Sequence, residues 1–148
     1  MSYLMRVHIL AALALLLVPV CALAGDEPLT VSGAWFRALP GGLPAGGYFE
    51  LHNGGTAPVS LTGAESSACG MLMLHKSENT GGMSSMMDME SVDVPAGKTV
   101  SFAPGGYHLM CTNPTSAMKP GGKVEVTLIF AGGAKIRTDF AIRNAAGR

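Results

Sequence analysis

Apolar and polar side chains alternate most regularly near the end of the chain. Val124, Val126, Leu128 and Phe130 fall on one face and Lys123, Glu125, Thr127 and Ile129 on the other, the two-residue period of a strand with one buried face. After Gly132-Gly133, residues 135–142 predict a second such strand. Upstream, residues 31–37, 48–52, 59–61, 71–75, 98–102 and 107–111 read as shorter strands. Residues 48–52 and 59–61 flank Asn53-Gly54-Gly55, which predicts a hairpin. Turn residues recur about every ten positions, and no window past residue 25 sustains a helical period. Residues 25–148 are therefore expected to form one all-β domain, a sandwich or barrel without a linker. The glycine pairs before Tyr48 and Tyr107 are read as shared turn chemistry.

Two segments depart from this pattern. Residues 9–20 (ILAALALLLVPV) form an apolar run after Arg6, and Ala22-Leu23-Ala24 supplies the small residues of a cleavage site. Residues 1–24 thus read as a secretory signal peptide cleaved near Ala24/Gly25, the run being too short for a spanning helix. Val20 and Pro19 before Cys21 do not suit a lipidation signal. The expected product is exported, with no membrane span after cleavage. The second departure is residues 76–91, which lack alternation, are rich in Ser and Gly, and hold Met83, Met86, Met87 and Met89. This stretch is expected to be a long functional loop.

Composition then narrows the chemistry. Ten basic and ten acidic side chains cancel, and 14% charged residues leave no basic footprint for nucleic acid. There is no Gly-x-Ser-x-Gly elbow, no H-E-x-x-H and no spaced nucleophile and base, so an enzyme is not expected. In an oxidising compartment Cys69 and Cys111 are expected to form one disulfide, and neither belongs to a C-x-x-C pair.

Ten methionines are the unusual entry. Met71 and Met73, alternating with Leu72 and Leu74, are expected to pack in the core. Met118 receives no placement, and His52 reads as an exposed strand residue. His75 stands at the start of the methionine-rich loop. His108 and Met110, two apart on a strand, point to one side, while Cys111 points to the other. Ten residues separate His75 from Met86, and twenty-one separate Met86 from His108. Two imidazoles and two neutral thioethers suit a soft monovalent ion, Cu(I). Zinc would favour thiolate or carboxylate, and calcium or magnesium would favour oxygen.

The spacing H-x10-M-x21-H-x-M resembles the signature of the periplasmic copper chaperones of the PCu(A)C type. The flanks Gly33-Ala34-Trp35-Phe36-Arg37-Ala38, Pro95-Ala96-Gly97 and Pro104-Gly105-Gly106-Tyr107 extend that resemblance over nearly all of the domain. It implies a cupredoxin-like Greek-key β-barrel, a monomer, holding one Cu(I) through His75, Met86, His108 and Met110. It also implies a copper-accepting partner, the CuA-bearing subunit of cytochrome c oxidase. Some members carry a His- and Met-rich C-terminal extension that binds Cu(II). Residues 144–148 (NAAGR) lack such donors, so no second site of that kind is expected. Copper buffering, a blue-copper electron carrier and a metal-free β-sandwich module stay open as rival readings. The electron carrier would need a Cys thiolate beside the two histidines.

Overall fold

The computed structural model describes residues 29–148; the expected signal peptide lies outside the described residues. Ten strands follow in chain order: β1 (Leu29–Arg37), β2 (Ala45–Asn53), β3 (Val59–Glu65), β4 (Cys69–Thr80), β5 (Met83–Asp88), β6 (Val92–Val94), β7 (Thr99–Phe102), β8 (Tyr107–Pro114), β9 (Lys123–Phe130) and β10 (Lys135–Arg143). They form one sheet in the order β5-β4-β8-β7-β2-β1-β10-β9-β3-β6, curled until β3 packs beside β4. Its interior holds the core, with Phe49 stacked on Phe102 and Phe36 against Phe140. The β9–β10 hairpin is the one expected, and Val124, Val126, Leu128 and Phe130 are all buried.

The expected hairpin around Asn53 does not form. β2 pairs with β1, β7 and β8, whereas β3 pairs with β6 and β9. The reason lies in Asn53 itself, which is buried rather than exposed in a turn. Its side-chain amide donates to the carbonyls of Ala57 and Val94, and its carbonyl oxygen accepts from Gly55 N–H. Those bonds carry the chain across the end of the barrel instead of folding it back on β2.

Gly46 and Gly47 are likewise not turn residues; they lie within β2. A Cβ on Gly47 would sit 2.6 Å from Phe36 Cε1 and 3.1 Å from Leu109 Cβ. One on Gly46 would sit 2.5 Å from the Tyr48 hydroxyl oxygen, so Gly46 is the space into which the Tyr48 ring folds. By contrast, Gly105 with φ 87° is a true turn glycine. In β1 the register against β2 shifts between Ser32 and Trp35, at Gly33 with φ 60°. This bulge changes which residues face inward: Phe36 enters the core, and Trp35 and Arg37 go to the outer face.

Met71 does not pack in the core; it is 55% exposed. Leu72 and Leu74 take the inward positions of β4, which leaves Met71 and Met73 on the outside, Met73 half-buried. Met118 is buried among the core residues.

Candidate metal centre

The site is assembled by strand register. β4 and β8 run antiparallel with His75 opposite His108 and Met73 opposite Met110. Directly opposed residues share a sheet face, so both histidines and Met110 project outward together. The chain between His75 and Met89 is not the expected loop. It is a hairpin, β4 to β5, turning at Gly81 and Gly82 with φ 61° and 80°, the two positive values a tight two-residue hairpin turn needs. Alternation gave no sign of it because all six β5 residues are exposed, so neither face had to be apolar. The pairing sets Met86 opposite Ser77 and Asp88 opposite His75, placing Met86 on the same face as the histidines.

Met86, His108 and Met110 line one open cavity of about 250 Å³, with Arg37, Tyr48 and Ser77 in its wall. His75 is not in that lining; its ring meets His108 edge-on, 5.6 Å between centroids. Neither buried ring nitrogen of His75 has a hydrogen-bond partner, although Nε2 lies 2.8 Å from Asp88 Oδ1. That contact is therefore a close approach without hydrogen-bond alignment. His108 is 4% exposed, and its Nδ1 lies 3.1 Å from the Gly106 carbonyl. A carbonyl can only accept, so Nδ1 carries the proton and Nε2 keeps its lone pair free.

Orphaned imidazole nitrogens beside thioethers are what a soft-metal centre requires. Among the described residues no three His, Cys, Asp or Glu side chains gather to hold a metal. A centre here thus depends on sulfur from methionine, which fits Cu(I) and not zinc or calcium. The Sγ atoms of Cys69 and Cys111 are bonded, with the Cα atoms 5.4 Å apart, joining β4 to β8 below the histidines. Cys111 is fully buried on the core side.

The comparisons with known proteins agree with this geometry. Residues 29–142 match the sequence model of the family described as "Putative lipoprotein LpqE-like". The "Putative lipoprotein Lxx21020" of Leifsonia xyli subsp. xyli (strain CTCB07) is 32% identical over 122 residues, spanning 82% of this chain and 73% of that protein. The chain belongs to the LpqE-like family. Its fold is shared with solved PCuAC domains. The Cu(I) form of DR1885 from Deinococcus radiodurans superposes with a TM-score of 0.67 at 28% identity, over 82% of this chain and 83% of that one. The copper-bound PCuAC domain of PmoF2 gives 0.67 at 22% identity, over 80% and 95% respectively. The all-β, cupredoxin-like expectation therefore holds for this LpqE-like chain.

The remaining methionines can be sorted by face. Met83 and Met87 are exposed on the side of the hairpin opposite Met86 and point away from the histidines. Met89 is partly buried against the core, its N–H bonded to the Leu74 carbonyl. What residue spacing did not reveal is the cationic and aromatic wall of the cavity, Arg37 and Tyr48, with Trp35 packed against both. Trp35 and Arg37 lie in a segment read as a strand and as a flank of the family resemblance, without a place in the site, and the bulge at Gly33 is what turns them outward.

Burial holds the His108 imidazolium below its ordinary pKa of 6.5; the Gly106 carbonyl opposes this, and His75 adds to it. The unfolded chain therefore binds the proton more readily than the folded one. The His108 contribution to stability is complete above about pH 6.5 and is lost as pH falls below it. Thermal unfolding of the metal-free protein from about pH 7.5 down to about pH 5 should show a falling midpoint. His108→Gln should flatten that slope; an unchanged slope would assign the effect to other groups.

Proposed function

We propose that this protein is an exported, non-enzymatic Cu(I) chaperone in which His75, Met86, His108 and Met110 hold one copper ion. The observation that supports it best is the register of β4, β5 and β8. It aligns two imidazoles, that of His75 without a hydrogen-bond partner, and two thioethers on one face, in the fold shared with copper-bound PCuAC domains.

All four donors are neutral, which binds Cu(I) without trapping it in an anionic cage. His108 is fixed by burial and by the Gly106 carbonyl, whereas Met86 rides on the exposed β4–β5 hairpin. A partner's donor can displace Met86 first while the histidines retain the ion, so copper passes over without release to solvent. Exposed Met83 and Met87 give the arm an adaptable apolar surface for a transient contact. The acceptor that the family resemblance points to is the CuA centre of cytochrome c oxidase. The protein works in the periplasm as a monomer after cleavage near Ala24/Gly25. Among the described residues no helix is long and apolar enough to cross a membrane.

A blue-copper carrier gains no support, since Cys111 faces the core and is bonded to Cys69, leaving no thiolate beside the histidines among the described residues. The test is an anaerobic Cu(I) competition titration followed by mixing with an apo CuA domain. One equivalent of Cu(I) should bind, and Met86→Leu combined with Met110→Leu should weaken it about a hundredfold or more. Copper should then move to the acceptor. Unchanged affinity in the double variant would overturn the ligand set, and retention in the presence of acceptor would make the protein a copper store.

A further inference from the structure

The wall of the copper cavity contains a positive charge that the ligand set does not use. Arg37 reaches it from the outer face of β1 with its cationic guanidinium. It is held by aromatic rings. Its Cζ lies 5.4 Å from the Trp35 ring centroid and 5.6 Å from that of Tyr48. The Tyr48 ring in turn stands 6.4 Å from the ring of His108. Among the described residues the ion pairs are His75–Asp88, Lys76–Glu78 and Lys123–Asp139; Arg37 takes part in none. Its buried Nε also lacks a hydrogen-bond partner. This is a fixed cation, not neutralised by a carboxylate, in the same small cavity as Met86, His108 and Met110.

We infer that Arg37 is a specificity-determining residue that sets the site against Cu(II) and so favours Cu(I). The inference rests on the copper reading above. Imidazoles accept both oxidation states, so the histidine pair alone discriminates weakly. The four donors carry no negative charge to offset the ion. Every unit of charge on the metal therefore meets the Arg37 field, and Cu(II) is repelled twice as strongly as Cu(I). Asp88 is the acidic group nearest the histidines, but its side chain is 86% exposed and solvent screens it. Arg143 also lies over the Trp35 ring, 4.7 Å from the centroid, exposed and outside the cavity lining, which makes it the natural control.

The test measures Cu(I) affinity anaerobically and Cu(II) affinity in air for the wild type, Arg37→Gln, Arg37→Met, Arg37→Lys and Arg143→Gln. Far-UV spectra select the neutral variant that keeps the native fold. The ratio of Cu(II) to Cu(I) dissociation constants should fall about tenfold when Arg37 is neutral. It should stay within about threefold of wild type in Arg37→Lys and Arg143→Gln. An unchanged ratio in both neutral variants overturns the inference, as does a lysine variant that behaves like the neutral ones, because stacking and not charge would then be responsible. An Arg143→Gln shift as large as that of Arg37→Gln also overturns it, since any surface charge would then suffice. A wild type that retains no Cu(I) after desalting fails at the earlier step and overturns the copper reading itself.

Discussion

Cleaving the Cys69–Cys111 bridge is expected to lower the stability of the metal-free protein by about 4 kcal/mol. The bridge joins residues 42 apart in sequence, and closing a loop of that length removes roughly that much conformational freedom from the unfolded chain. The closed segment holds β4 through β7, so an open chain must gather most of the candidate site from a larger ensemble. For a domain of this size the thermal midpoint should drop on the order of 10–20 °C. Reduction and the Cys69→Ala/Cys111→Ala variant should agree, apart from the small cavity left where the buried Cys111 sulfur lies near the Ala68 carbonyl. Copper affinity should respond far less. Backbone pairing from Met71–Thr112 to Lys76–Tyr107 keeps His75 opposite His108 whether or not the sulfurs are joined. Paired denaturant melts and Cu(I) titrations of the oxidised and reduced protein check both halves. A stability change below about 1 kcal/mol would mean that the reduced chain keeps this segment closed without the bridge.

What the sequence revealed and concealed follows from the range of each interaction. His108 and Met110 are two residues apart, so their common direction follows from strand parity alone, and β9–β10 is legible because one of its faces is buried. Local patterns carry no information about distant partners. That His75 meets His108, and that β2 and β3 separate, are set by pairings far apart in sequence. At Asn53 a turn signal misleads because the side chain serves the barrel interior, bonded to Val94 O as well as to its own loop. The β5 strand is silent for the opposite reason, since a strand exposed on both faces has no apolar side to display. Met71 and Met73 show the limit of composition: their type says core, and the register places them outside, with Leu72 and Leu74 turned in. The cavity wall is the same kind of case. Arg37 and Tyr48 become neighbours of His108 only after a bulge in β1 and the small side of Gly46 have been accounted for.

His108→Ala is expected to weaken Cu(I) binding by about a thousandfold or more, and Met86→Leu by only about tenfold, that is about 4 against about 1.4 kcal/mol. Both remove one donor, so the difference comes from what each side chain gives up on binding. His108 is 4% exposed, its tautomer is fixed by the Gly106 carbonyl and its ring is wedged between those of His75 and Tyr48. It meets the ion with little freedom left to lose. Met86 is 61% exposed on β5, the edge strand of the sheet, which pairs with β4 alone and starts at the Gly81-Gly82 turn, and such an edge is held less firmly than a central strand. Much of its bond energy is therefore consumed in ordering a long side chain and the arm that bears it. The same balance is what makes Met86 a good leaving ligand: its variant should release copper faster, with a smaller change in the rate of uptake. Met83→Leu and Met87→Leu should leave affinity unchanged, because those side chains occupy the other face of the arm. If Met86→Leu cost as much as His108→Ala, the arm would be a rigid part of the centre, and transfer would have to begin at a histidine instead.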